Sequence, residues 1–218
     1  MRVAAHCGWR MAWLAGVATA LSGAAIPAAR SRNIIDEWSQ VKAPPPPTLQ
    51  TVRIDPASTA LIVMDISMRT CSTAHRPACA ASLPAIARLV REARASGVLV
   101  LYSLIGHDNR SDIPTAFAAR PTDTVLTGAG PDKFIGTDLE AILQAKHVKT
   151  LITVGTSAEG AVLNTASGAT FRGFESIVPV DGMSSGTLYG AQATAWFLAH
   201  APRVSQHTKL TKVDLIKF

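Results

Sequence analysis

Three places in the sequence carry side chains that could do chemistry if the fold brought them together. Asp65 ends the apolar run Ala60-Leu61-Ile62-Val63-Met64. A carboxylate there lies at the carboxyl end of a buried strand, the edge at which open α/β sheets bind ligands. It suits general acid/base work, or it caps the next turn. Lys133 is the only lysine between 109 and 136, in Gly130-Pro131-Asp132-Lys133-Phe134-Ile135-Gly136-Thr137. Beside Asp65 it would neutralise that carboxylate or hold an anionic substrate; otherwise it is a surface lysine at a helix entry. The third place is Leu151-Ile152-Thr153-Val154-Gly155, followed by Thr156-Ser157-Ala158-Glu159-Gly160-Ala161-Val162. An apolar strand, a glycine and a small-residue helix put backbone N–H groups at the mouth of a crevice, with Thr156, Ser157 and Gly160 as candidate substrate-binding groups. Phe134 and His107 are two further candidate contacts, His107 because it follows the run Val98–Ser103 at the same edge. His75, His107, Asp65 and Asp108 show no tight spacing that commits them to a metal, and no metal or other cofactor is expected.

The elements that must position these groups follow from hydrophobic patterning. Uncharged runs at 60–64, 98–103 and 151–154 read as parallel strands buried on both faces. Ser82 is expected to cap a helix with Pro84 in its first turn, a stripe of Ile86, Leu89, Val90 and Ala93, and a stop at Gly97. Loop 109–136 is long enough to expect function in it, with one short extended segment at 124–126. Helices are expected over 137–145, from 159 to Gly173 (with Val162, Ala166, Ala169 and Phe171 on one side) and over 188–199, where Trp196 and Phe197 are the expected core anchors. Strands are expected over 174–180 and, at the sheet edge, 208–211; Asp181 is expected to brace a turn. Alternation of strand and helix predicts an α/β domain of three layers, Rossmann-like, with a mainly parallel central sheet and helices on both faces.

The 218 residues are 48% apolar and 17% charged, enough for one substantial core. Arg2 and Arg10, the apolar run from Met11 to Ile26 and the alanines after it have the layout of a secretory signal peptide over residues 1–29, with a Pro-rich extension over 30–56 and the folded domain over 57–218. Export to the periplasm or the exterior is therefore expected, with no membrane association after the signal is removed. Cleavage takes away two arginines and no acids, lowering the formal charge from +6 to +4. No Lys/Arg cluster supports nucleic-acid binding, and no Gly-x-Gly-x-x-Gly or P-loop supports nucleotide binding. The expected partner is a small-molecule substrate; a homo-oligomer is compatible with the sequence. Cys71 and Cys79 remain as an even pair. A disulfide suits the oxidising compartment, with free thiols, a metal site or a displaced nucleophile as the other readings.

Three segments, in order, resemble one family. The strand ending at Asp65, the Phe134-Ile135-Gly136-Thr137-Asp138-Leu139 segment and the turn from Gly155 to Thr165-Ala166 look like those of the isochorismatase-like cysteine hydrolases. The resemblance spans about 57–218. It implies Asp65 as general acid/base and Lys133 as its electrostatic partner, and it implies a cis peptide between Thr156 and Ser157. The family usually carries its nucleophilic Cys six residues after the glycine; this chain has Ala161 there, and Ser67 where a Gln is frequent. A methyl group is no nucleophile. The family also has members that lack the Cys and hydrolyse a vinyl ether, with the Asp as acid and water as nucleophile. The resemblance therefore implies either a hydrolase of a small, anionic molecule acting without the thiol, with backbone donors near Ser157 and Ala161, or a catalytically silent binding or assembly protein on the same scaffold.

Overall fold

The computed structural model describes residues 33–218. The expected signal segment lies outside the described residues. Residues 33–44 hold a turn and one 3-10 turn, Trp38–Gln40. The compact unit runs from Pro45 to Phe218 and so begins ahead of the expected boundary at 57. Its first strand, β1 (Val52–Arg53), buries Val52 and pairs in parallel with the last, β9 (Ile216–Lys217). A two-residue strand leaves too little pattern to be read in advance.

The central sheet contains β2 (Thr59–Met64), β3 (Leu99–Ser103), β4 (Thr124–Leu126), β5 (Thr150–Thr156), β6 (Glu175–Pro179), β7 (Met183–Ser184) and β8 (Thr208–Thr211). Its order is β4-β3-β2-β5-β6-β8, every neighbouring pair is parallel, and β7 continues on β5 where β6 leaves it. The chain builds outward from β2 to β4 and then returns to lay β5 on the other side of β2. That reversal opens a crevice past the carboxyl ends of β2 and β5.

All six residues of β2 are buried, as a strand covered on both faces requires. Leu61 and Val63 join Val100, Tyr102, Ile152 and Val154 under α1 (Pro77–Ala95), through Ile86, Leu89, Val90 and Ala93. Ala60, Ile62 and Met64 point the other way, into a core with Leu139 and Leu143 of α2 (Leu139–Ala145), Ala166 and Ala169 of α3 (Leu163–Phe171) and Ala195 and Leu198 of α4 (Leu188–His200). The period of two thus divides one strand between two cores, and this makes three layers. Full burial of each large aliphatic side chain contributes about 1.5–3 kcal/mol. A short helix, α5 (Val204–His207), leads into β8. Among the described residues no helix is long and apolar enough to cross a membrane.

Three local expectations need correction, while the extended segment expected at 124–126 is present as β4. Helix α1 starts at Pro77, so Pro84 lies inside it; Ser82 donates its hydroxyl to the Cys79 carbonyl (2.8 Å) within the helix and caps nothing. Cys79 sits in the first turn, disulfide-bonded to Cys71. Phe171 is 58% exposed, because it lies two residues beyond Ala169 and so on the far side of α3; Phe174, after the turn at Gly173, is buried instead. Trp196 and Phe197 are 47% and 39% exposed, and α4 packs through Thr194, Ala195 and Leu198. Loop 109–136 contains β4 and two 3-10 turns and is tied down by Arg94, which donates to Tyr102 (2.9 Å), the Ala118 carbonyl (3.0 Å) and Asp123 (2.5 Å). Burial pushes the Tyr102 phenol up to about 12, and it donates to the Phe117 carbonyl at 2.7 Å. A raised folded value favours the neutral phenol, so its stabilisation is complete below the ordinary value of 10 and is lost as pH rises through about 12.

Gly155 marks the closest approach of the two central strands. Its φ is +136°, and a β-carbon there would run into the Met64 carbonyl oxygen. Gly155→Ala is expected to cost about 3 kcal/mol or more, from overpacking and backbone strain together. Thermal or denaturant unfolding checks this; a variant as stable as the parent would mean that the strands can separate at no cost.

Candidate functional site

Asp65 follows directly on β2 with φ +58°, a left-handed conformation that Asp tolerates better than most residues. Its N–H donates to the Ser103 carbonyl at the end of β3 (2.9 Å). The side chain is buried, and both oxygens are engaged: Oδ1 accepts from the Ser103 hydroxyl at 2.8 Å and Oδ2 from the Lys133 ammonium at 2.7 Å.

Lys133 is fully buried, which an ammonium tolerates only when paired. Besides Asp65, its Nζ donates to the Gly130 carbonyl at 3.0 Å. Its backbone is pinned from both sides: its N–H donates to Thr165 Oγ1 (3.1 Å), and its carbonyl accepts from Thr137 Oγ1 (2.5 Å). Gly168 leaves room for the Asp132 carboxylate, which a β-carbon would meet at 2.6 Å; Asp132 in turn accepts from the Phe134 N–H and pairs with Arg172 at 3.5 Å. Helix α3 therefore holds the lysine loop.

The same helix begins in the third component. After β5 the Thr156–Ser157 peptide is cis, as the resemblance implied. Residues Ala158–Val162 then form a π-helical turn, in which Val162 N–H reaches back to the Ser157 carbonyl (3.2 Å). Such wide turns concentrate at functional sites. A β-carbon at Gly160 would lie 2.7 Å from Ser157 Oγ and would push that hydroxyl aside.

Asp65, Lys133, Thr156, Ser157, Gly160 and Ala161 all line one open cavity of about 490 Å³. This is the crevice at the strand reversal. His107 and Phe134 are not in its wall. His107 is exposed in the loop after β3. Phe134 is buried, stacked on Phe174 with the Arg172 guanidinium 4.6 Å above its ring, so it is a core residue behind Lys133. Ser67 is buried too and spends its hydroxyl on Thr70. Asp181 accepts from the Val213 N–H at 3.0 Å, the bracing role expected of it. The wall also contains Arg76, Ile105, Gly130, Pro131, Glu159 and Gly186. Sequence reasoning missed these as site residues; the one available signal was that Arg76 and Glu159 are charges in segments already tied to the strand ends. Among the described residues no three or more His, Cys, Asp or Glu side chains converge as a metal site needs.

This arrangement sets a fixed carboxylate, which can move a proton, and the ammonium that orients it beside the β5–α3 turn in one cavity. It provides no thiol or hydroxyl at Ala161.

Residues 59–207 match the isochorismatase domain model, a span that holds β2 to β7, α1 to α5 and all three components of the site but stops before β8. Among solved structures, the chain is similar to a cysteine hydrolase from Pseudomonas syringae pv. phaseolicola 1448A (20% identity, TM-score 0.64, covering 77% of this chain and 94% of that one). It is similar also to the nicotinamidase of Staphylococcus aureus (19%, TM-score 0.63, 72% and 99%). The N-carbamoylsarcosine amidase of Thermoplasma acidophilum shares the fold as well (21%, TM-score 0.62, 72% and 97%). No curated protein gives a significant sequence match. The extent of the domain match, on a fold with this sheet order and this crevice, establishes that the chain belongs to the isochorismatase family.

Proposed function

We propose that the protein hydrolyses a small molecule without a cysteine nucleophile, using Asp65 to move a proton to and from water. The buried Asp65–Lys133 pair, opening on the same cavity as the Ala161 methyl group, carries this reading. Water attacks the electrophilic carbon. Asp65 takes the proton that water gives up and delivers it to the leaving group, so that one water is consumed and Asp65 is regenerated. Backbone N–H groups near Ser157 and Ala161 steady the oxygen that gains charge. Lys133 keeps its proton throughout as the electrostatic partner. The solved relatives named as amidases make amides one bond type to test; vinyl ethers and esters are the others.

Ala161 is also the observation that favours the second reading, a binding or assembly protein that uses the cavity without turnover. The Cys71–Cys79 disulfide and the basic, then apolar, then alanine-rich start of the chain support action in the periplasm or outside the cell.

A panel of amides, esters and vinyl ethers separates the readings. At least one class is expected to turn over, and that activity is expected to survive iodoacetamide under non-reducing conditions, since both cysteines of the folded domain are bonded to each other. Ala161→Cys is expected to add amide hydrolysis, because the turn and its donors are already in place. Turnover of nothing, with tight ligands found by thermal shift, would leave the binding reading. Loss of activity on alkylation would point to a thiol nucleophile.

A further inference from the structure

The cavity carries a second set of charges that the proton-transfer chemistry does not use. Arg76 and Glu159 both line it, Arg76 half-buried and Glu159 exposed. Neither side chain makes an ion pair or hydrogen bond among the described residues. Arg94 and Arg172, by contrast, spend their guanidinium groups on Asp123 and on Asp132 and Glu140. Lys133 is already paired with Asp65, so among the described residues Arg76 is the cation of this cavity wall left without an ion-pair partner.

Its position is fixed by the chain around it. The Arg76 N–H donates to the Ser72 carbonyl at 2.8 Å, and its own carbonyl accepts from Cys79 and Ala80 at 3.0 and 3.1 Å. The Cys71–Cys79 disulfide closes the loop about it, and α1 starts at the next residue. The loop after β2 is thereby folded back so that its arginine faces the crevice.

We infer that Arg76 is the specificity residue of this cavity, gripping one carboxylate of the substrate, so that the protein selects small monocarboxylates over their neutral amides. The inference rests on this cavity being the substrate site. A guanidinium presents two parallel N–H donors that match a carboxylate, and charge-assisted bonds of this kind are about twice as strong as neutral ones. The charges on the wall fix the valence. Asp65 and Lys133 are paired with each other, which leaves the unpaired Arg76 to meet one carboxylate and the unpaired Glu159 to repel a second. One negative charge is welcome, and a second meets Glu159 and Asp65 with no cation left. The cavity volume suits a small molecule.

The test compares benzoate with benzamide, matched in shape and different in charge, by titration calorimetry on the full disulfide-bonded protein. Wild type is expected to prefer benzoate by about 10–100-fold, the range of one charge-assisted contact. Arg76→Gln is expected to bring that preference below about 3-fold while leaving benzamide affinity unchanged, and Arg76→Lys to restore part of it. Cys71→Ser with Cys79→Ser is expected to weaken benzoate more than benzamide, because it releases the loop without touching the charge. Absence of benzoate binding, equal affinities in wild type, or a preference that survives Arg76→Gln overturns the inference. Benzoate and benzamide are compared as ligands, so the preference is read whether or not the protein is a hydrolase. A failed hydrolysis panel with the preference intact therefore counts against the catalytic reading alone.

Discussion

Asp65→Asn is expected to lower turnover by about 10²–10⁴-fold, the usual contribution of a positioned general acid/base. The substitution is well matched to its site. Asn tolerates the left-handed backbone at φ +58° as readily as Asp does. Its amide oxygen can still accept from Lys133, and its NH₂ can face Ser103, whose hydroxyl turns to accept instead of donate. Shape and both contacts persist, and what is lost is the ability to take and return a proton. The expected signature is a fall in kcat with little change in KM, since both Asp65 oxygens are committed to Ser103 and Lys133 and the substitution keeps those contacts. Ser103→Ala serves as the control and is expected to cost far less, about one hydrogen bond's worth of orientation. The measurement is steady-state kinetics on whichever amide, ester or vinyl ether proves to be a substrate, with a melting curve to show that the variant is folded. Turnover within about 3-fold of wild type would remove Asp65 from the mechanism.

The fold could be read from the sequence where burial is two-sided. Parallel strands covered by helices on both faces are continuously apolar, so 60–64, 98–103 and 151–154 stood out, and their order among the helices implied the layers. Helix phase was harder to read. Trp196 and Phe197 are larger than Ala195, yet α4 meets its neighbours through Thr194, Ala195 and Leu198, because close packing onto a helix as small-residued as α3 favours small side chains. The start of α1 was hidden for a different reason. Its first residue is a proline with no polar cap side chain before it, and a second proline within the helix looks like a beginning.

At the site, individual residues could be read but their convergence could not. Asp65 and Lys133 are 68 positions apart and meet at 2.7 Å through a loop with no periodicity of its own. Their pairing came from likeness to a family and not from spacing. Phe134 shows the limit of that route. Adjacent to a buried lysine in sequence, it points to the opposite side of the loop, onto Phe174. Arg76 was passed over because neither periodicity nor family pattern marks a lone arginine in a short loop; it takes a closed disulfide to turn it toward the crevice.

Lys133→Met is expected to destabilise the protein by about 3–5 kcal/mol, the cost of stranding one member of a buried ion pair. Methionine fills most of the volume, so the loss is electrostatic. Asp65, 5% exposed, would keep a full charge with only the Ser103 hydroxyl opposite it, and the Gly130 carbonyl would lose its donor. The loop itself should stay in place, since Thr165 and Thr137 hold its backbone independently of the ammonium. The decisive comparison is with the double variant Lys133→Met, Asp65→Asn. Removing both charges removes the stranded carboxylate as well, and neutral replacement of a buried pair is often close to neutral in stability. The double variant is therefore expected to regain most of the stability lost by Lys133→Met while remaining as inactive as Asp65→Asn alone. Denaturant melts of the four proteins give the coupling energy, and kinetics on the same samples give the activity. If the pair is there for the chemistry, stability returns and activity does not. A Lys133→Met protein that melts like wild type and keeps its turnover would show that the ammonium neither supports Asp65 nor takes part in its reaction.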